Sequence, residues 1–63
     1  MHMKMNFVKT GINGEGIGYD HRKPVFCDGV LAGETAVVRI EEDHGTYAKA
    51  RCVRLLKIGR AHV

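Results

Sequence analysis

Cysteine is scarce in this chain: Cys27 and Cys52 are the only two, and no Cys-x-x-Cys pair occurs. A structural zinc site needs closely spaced thiolate or imidazole ligands, so the pattern argues against one. Each cysteine sits in a strand-like apolar run, which reads as two reduced, core or half-buried thiols rather than a disulfide. The four histidines, His2, His21, His44 and His62, are scattered through tails and turns and make no ligand pair. Glu41, Glu42 and Asp43 read as a solvated acidic corner at a strand end. Nothing pairs a nucleophile with a base, so no catalytic or metal-binding residue is expected. No apolar run approaches the roughly 18 residues of a membrane helix, and the N-terminus lacks the apolar core of a signal peptide. A cytoplasmic location without membrane contact is the expectation. Helical heptads, internal repeats and a second domain are also missing.

What is present is small, basic and patterned for strands. A chain of 63 residues is one domain that buries only about 60% of its unfolded surface, which leaves little room for a large catalytic cleft. The formal charge of +3 points toward polyanionic partners, although an ordinary basic surface has the same balance.

Period-two alternation predicts the strands. Residues 3–10 place Met3, Met5 and Phe7 on one face and Lys4, Asn6 and Thr10 on the other, with Val8 as the exception. Residues 16–19 form a second strand, His21-Arg22-Lys23 a turn, and residues 25–27 a third strand with Pro24 at its start, where a missing N–H is tolerated. Residues 28–33 read as a compact turn or a single turn of 3₁₀-helix. Residues 35–42 set Ala36, Val38 and Ile40 against Thr35, Arg39 and Glu41. His44-Gly45 marks a hairpin before a last strand over residues 46–57, with Ala48, Ala50 and Cys52 inward and Tyr47, Lys49 and Arg51 outward. Small inward residues suit the interior of a barrel of about five antiparallel strands.

Residues 11–27 carry the functional signal, with glycines at 11, 14, 16 and 18 ahead of a basic turn and a short apolar strand. Such spacing allows positive φ or close backbone approach in a strongly bent barrel strand. A dinucleotide-binding loop is excluded, because Tyr19 stands where a third glycine is needed and Pro24 with β-formers replaces the following helix. No Gly-Lys-Ser/Thr ends the run, which excludes a P-loop. Gly14-Glu15-Gly16-Ile17-Gly18, Pro24-Val25-Phe26, Gly33-Glu34 and Tyr47-Ala48-Lys49-Ala50, in that order and spacing, resemble the TRAM domain over about residues 3–57. Ala32 stands where that family usually has proline, and Cys27 where it prefers valine or isoleucine. The resemblance implies an all-β, five-stranded OB-like barrel that binds RNA, with no cofactor in this chain.

Single-stranded RNA is commonly held by rings that stack on bases beside cations that neutralise phosphates. Tyr47 with Lys49 and Arg51 supplies one such group, and Tyr19 with Arg22 and Lys23 a second. Phe26 joins either that surface or the core, the core being the commoner fate of a strand phenylalanine. Lys49 and Arg51 also fit a solvated face paired with Glu41 or other cross-strand acids.

The start of the barrel near Met1 and the wording of its motifs look most like the TRAM domain of bacterial 23S rRNA uracil-C5 methyltransferases. In that arrangement the barrel precedes an iron–sulfur-binding region and a Rossmann-like S-adenosylmethionine domain. The resemblance then implies a fragment, monomeric and catalytically inert by itself, that holds rRNA for an absent catalytic domain. The alternatives are a free-standing TRAM RNA-binding protein or RNA chaperone of cold-shock type, and a structural barrel that contacts only protein. Residues 58–63 lack strand patterning and resemble a translated sequencing-library adapter. On this reading biological sequence stops near Lys57, the barrel occupies residues 1–57, and deleting the tail leaves thermal stability unchanged.

Overall fold

The computed structural model describes residues 2–57. Its strands are β1 (His2–Thr10), β2 (Gly16–Asp20), β3 (Lys23–Asp28), β4 (Thr35–Asp43) and β5 (Ala48–Lys57). They close in the order β1-β2-β3-β5-β4 and back to β1, which is the expected small OB-like barrel. One ladder departs from the expected antiparallel pairing, since β3 and β5 run parallel. The departure is a requirement of closure: strand directions cannot alternate all the way around a ring with an odd number of members. The expectations for residues 58–63 lie outside the described residues.

On β1, Met5 and Phe7 are buried and Met3 packs against the core, as the alternation requires. Val8 falls on the outward side of this alternation and is exposed. The register slips between Phe7 and Lys9 against β2, a bulge that turns Lys9, inward by strict alternation, to solvent as well. Gly16 and Gly18 take the inward positions of β2. A Cβ at Gly16 would meet the Val30 carbonyl oxygen at 2.5 Å, and one at Gly18 the Asn6 carbonyl oxygen at 2.8 Å. These two glycines therefore let the neighbouring backbone close onto β2.

The turn between β2 and β3 is shorter than expected, because Lys23 already belongs to β3 and pairs with Asp20. His21 and Arg22 alone make the turn, with φ of 51° and 72°, the pattern of a type I′ hairpin, which matches the strand twist. Pro24 lies within β3 rather than at its start. Tyr19 and Pro24 form the pair next to the closing one, where alternation points the β3 N–H away from β2, so the missing donor costs no bond in that ladder.

Residues 31–34 form a hydrogen-bonded turn rather than 3₁₀-helix. The Glu34 N–H donates to the Leu31 carbonyl at 3.0 Å, and Gly33 has φ of 89°, as position three of a type II turn demands. The Glu34 side chain, 1% exposed, accepts from the Leu31 N–H at 2.8 Å. Phe7 ties this turn to β1, its N–H donating to the Glu34 carbonyl and its carbonyl accepting from the Gly33 N–H. The Gly33-Glu34 motif thus serves architecture.

The core comprises Met5, Phe7, Val25, Cys27, Val30, Ala36, Val38, Ala48 and Ala50, with Met3, Ile40 and Cys52 packed against it. Alanines at 48 and 50 keep β5 close to both β3 and β4, the two strands that it joins.

Candidate nucleic-acid interface

Alternation on β2, β3 and β5 turns Ile17, Tyr19, Phe26 and Lys49 outward, because Gly16, Gly18, Val25, Cys27, Ala48 and Ala50 face in. Ile17, Phe26 and Lys49 lie in one cross-strand row. Phe26 is half-buried on this outer face, so the core does not claim it. Its ring meets that of Tyr47 edge-on, with centroids 6.0 Å apart. Tyr47 stacks in turn on His44 at 4.5 Å and an interplanar angle of 18°. Tyr47 lies just before β5, which begins at Ala48 rather than at residue 46. Its position is therefore set by the hairpin: the Gly45 N–H donates to Asp43 Oδ1 at 2.9 Å, and the His44 N–H to the Tyr47 carbonyl at 2.8 Å.

Tyr19 forms a separate, exposed station. The ammonium of Lys9 lies 5.8 Å from its ring centroid, within the range of a cation–π contact. Arg22 occupies the tip of the hairpin and is exposed. Lys23 is engaged differently, its ammonium donating to both oxygens of Asp43 at 2.9 and 3.0 Å. The Gly45 N–H, and after it Lys23, holds the Asp43 carboxyl below its ordinary value. Arg51 belongs to another row, opposite Asp28 on one side and Arg39 on the other, and it reaches Glu41 only at 3.9 Å.

The seven candidates therefore divide. Phe26, Tyr47 and Lys49 come together, Tyr19 stands beside Lys9, Arg22 is exposed at a turn, Lys23 is ion-paired, and Arg51 lies in the next row along β5, near Glu41. Two contributors were missed from the sequence. Lys9 was missed because the bulge at Val8 obscures which way it faces, and His44 because it looked like a turn residue only. A cleft of about 360 Å³ adjoins Phe26 and Lys49 and is bordered by Glu15, Asp28, Glu41 and Glu42. Its carboxylates disfavour phosphate inside the cleft, and Lys49 is the one cation of its lining among the described residues.

Nothing in this arrangement supports cofactor chemistry. An iron–sulfur cluster takes four thiolates, and this chain has two cysteines. Burial, with smaller contributions from Cys52, Asp28 and Glu41, pushes the Cys27 thiol up to about 11. No group of three or more His, Cys, Asp or Glu side chains among the described residues is placed to hold a metal. Among those residues no helix is long and apolar enough to cross a membrane.

A protein of Vibrio campbellii described as 23S rRNA (uracil(1939)-C(5))-methyltransferase RlmD is 32% identical over 62 residues, covering 98% of this chain and 14% of its own length. The enzyme of that description from Vibrio vulnificus strain YJ016 is 36% identical over 56 residues, covering 89% of this chain. The chain thus spans about 13% of the length of such relatives. The TRAM domain family matches residues 6–53, a span containing the four glycine and aromatic motifs, the bulge and the Phe26–Tyr47 pair, and the chain belongs to that family.

Proposed function

We propose that this barrel is the RNA-binding domain of a 23S rRNA uracil-C5 methyltransferase and acts in the cytoplasm as a monomer. In this reading it holds substrate RNA for a catalytic domain outside these residues. The observation that carries the reading is the group of outward rings, Phe26 edge-on to Tyr47 and Tyr47 stacked on His44, with Lys49 in the adjoining row. Rings on an outer face are stacking platforms for unpaired bases, and the neighbouring ammonium neutralises a phosphate. Methyl transfer requires S-adenosylmethionine in the parent enzyme, and its site belongs to that other domain. Coding sequence downstream of Lys57 separates this reading from a free-standing RNA-binding or cold-shock-type chaperone.

Affinity for an unstructured RNA oligomer, measured at several salt concentrations with circular dichroism as a folding control, tests the interface. Tyr47→Ala is expected to cost about 1 to 3 kcal/mol with the salt slope intact, since stacking carries no charge. Lys49→Ala is expected to lower the slope by about 0.7, the counterion release of one phosphate contact on a single strand, and Arg51→Ala by less, because Arg51 lies in the next row beside Glu41. Lys23→Ala should change it less, because its ammonium is already neutralised by Asp43. If the folded Tyr47 and Lys49 variants bind as the parent does, this face does not contact RNA and the protein-contact reading replaces it.

A further inference from the structure

Carboxylates and cations cluster on the barrel and meet at Arg51, which lies opposite Asp28 and 3.9 Å from Glu41. The carboxylates of Asp28, Glu41, Glu42 and Asp43 sit at the strand ends near the cleft. The outer face of β1, β4 and β5 instead presents His2, Lys4, Arg39, Arg51 and Arg54, all exposed. The register arranges them in two cross-strand rows, His2–Arg39–Arg51 and Lys4–Val37–Arg54. Strand geometry sets neighbours along a row about 4.8 Å apart and the rows about 7 Å apart. Among the described residues Lys4, Arg39 and Arg54 make no ion pair. Arg39 lies directly opposite Arg51, a like-charge pair, and the anions beside it, Glu41 and Asp28, lie on the Arg51 side.

This face is also chemically unlike the candidate interface. The rings of Tyr19, Phe26 and Tyr47 lie on or beside β2, β3 and the start of β5, and the middle of the cationic face carries only Val37. The order of strands in the ring makes β4 a neighbour of neither β2 nor β3, so the two surfaces adjoin only along β1 and β5. A flat cationic grid without rings cannot stack on bases. It fits a backbone whose bases are turned inward, and RNA in a paired stem presents phosphates in that way.

We propose that the outer face of β1, β4 and β5 contacts the phosphates of a paired RNA stem, while the aromatic face holds unpaired nucleotides of the same molecule. This rests on the RNA-binding reading and adds a substrate class to it: a stem joined to a single-stranded segment. The experiment compares the full 63-residue chain with Lys4→Ala, Arg39→Ala and Arg54→Ala, singly and combined. The probes are an RNA hairpin carrying a single-stranded extension, an unstructured oligomer, and vesicles of phosphatidylcholine with phosphatidylserine.

For the hairpin, each single variant should lower the salt slope by up to about 0.9, the value for a duplex phosphate contact, and the triple variant by about 2 to 3. Arg39→Lys should preserve it. Binding of the unstructured oligomer should stay within about twofold of the parent, and circular dichroism should show the barrel intact. An unchanged hairpin slope in the folded triple variant overturns the proposal, as does loss of vesicle binding with hairpin binding retained. A parent that binds the oligomer but gains nothing from the stem sinks this inference and leaves the RNA-binding reading standing. A parent that binds neither RNA sinks both.

Discussion

Cys27 faces the interior of β3 with 1% of its surface exposed, and its thiol is pushed up to about 11 mainly by burial. The thiolate is the reactive form, so Cys27 should resist alkylation in the native protein while the half-buried Cys52 reacts first. Mass spectrometry after brief exposure to iodoacetamide near pH 8 should find one adduct on Cys52, and two after unfolding in denaturant. The shift has a sign in stability as well. The folded state keeps the Cys27 proton longer than the unfolded chain does, so its contribution is complete below about pH 9 and is lost as pH rises toward 11. Preferential native labelling of Cys27 would contradict the buried position. At the same scale, Phe26 shows that outwardness alone does not make a ring accessible, since it is half covered by Tyr47.

Two elements depend on backbone geometry that a single substitution can test. In the turn over residues 31–34, Ala32 is position two of a type II turn, where φ near −65° is wanted and proline supplies it. Ala32→Pro should therefore stabilise by about 0.4 to 1 kcal/mol through a less flexible unfolded chain. For a domain of this size that is a rise of about 2 to 8 °C in melting temperature, read by thermal circular dichroism. A fall would mean that position 32 is not in this conformation. In β2, Gly16 has no room for a side chain because the obstacle is the Val30 carbonyl, which belongs to the backbone. Gly16→Ala should cost about 1 to 3 kcal/mol as β2 and the following turn move apart. An unchanged melting temperature would remove the argument that this glycine exists for close approach.

For the whole molecule, a small barrel has limited stability, of about 3 to 9 kcal/mol by size alone, and a ligand specific to the folded state changes it visibly. Unstructured RNA at about one hundred times its dissociation constant should add about 2.7 kcal/mol, a rise of the order of ten degrees in melting temperature. Raising salt should erase the shift, because phosphate contacts weaken as counterions compete. A melting temperature independent of RNA at low salt would remove RNA from the list of partners.

Alternation by itself determined much of this protein. The inward sets Met3, Met5, Phe7 and Ala36, Val38, Ile40 are readable because the pleat repeats every two residues, and glycine and turn residues bracket each run. Five such runs closed into a ring also require one parallel pair, a consequence available from strand count although the antiparallel expectation overlooked it. What alternation cannot show is which outward residues share a surface. That depends on register between strands far apart in sequence, and register here shifts at the bulges of β1, β4 and β5. The joining of Phe26 to Tyr47, the capture of Lys23 by Asp43 and the meeting of Arg39 with Arg51 were therefore decided by closure. Each pairs side chains that local periodicity treats as independent, and only the folded barrel brings them within reach.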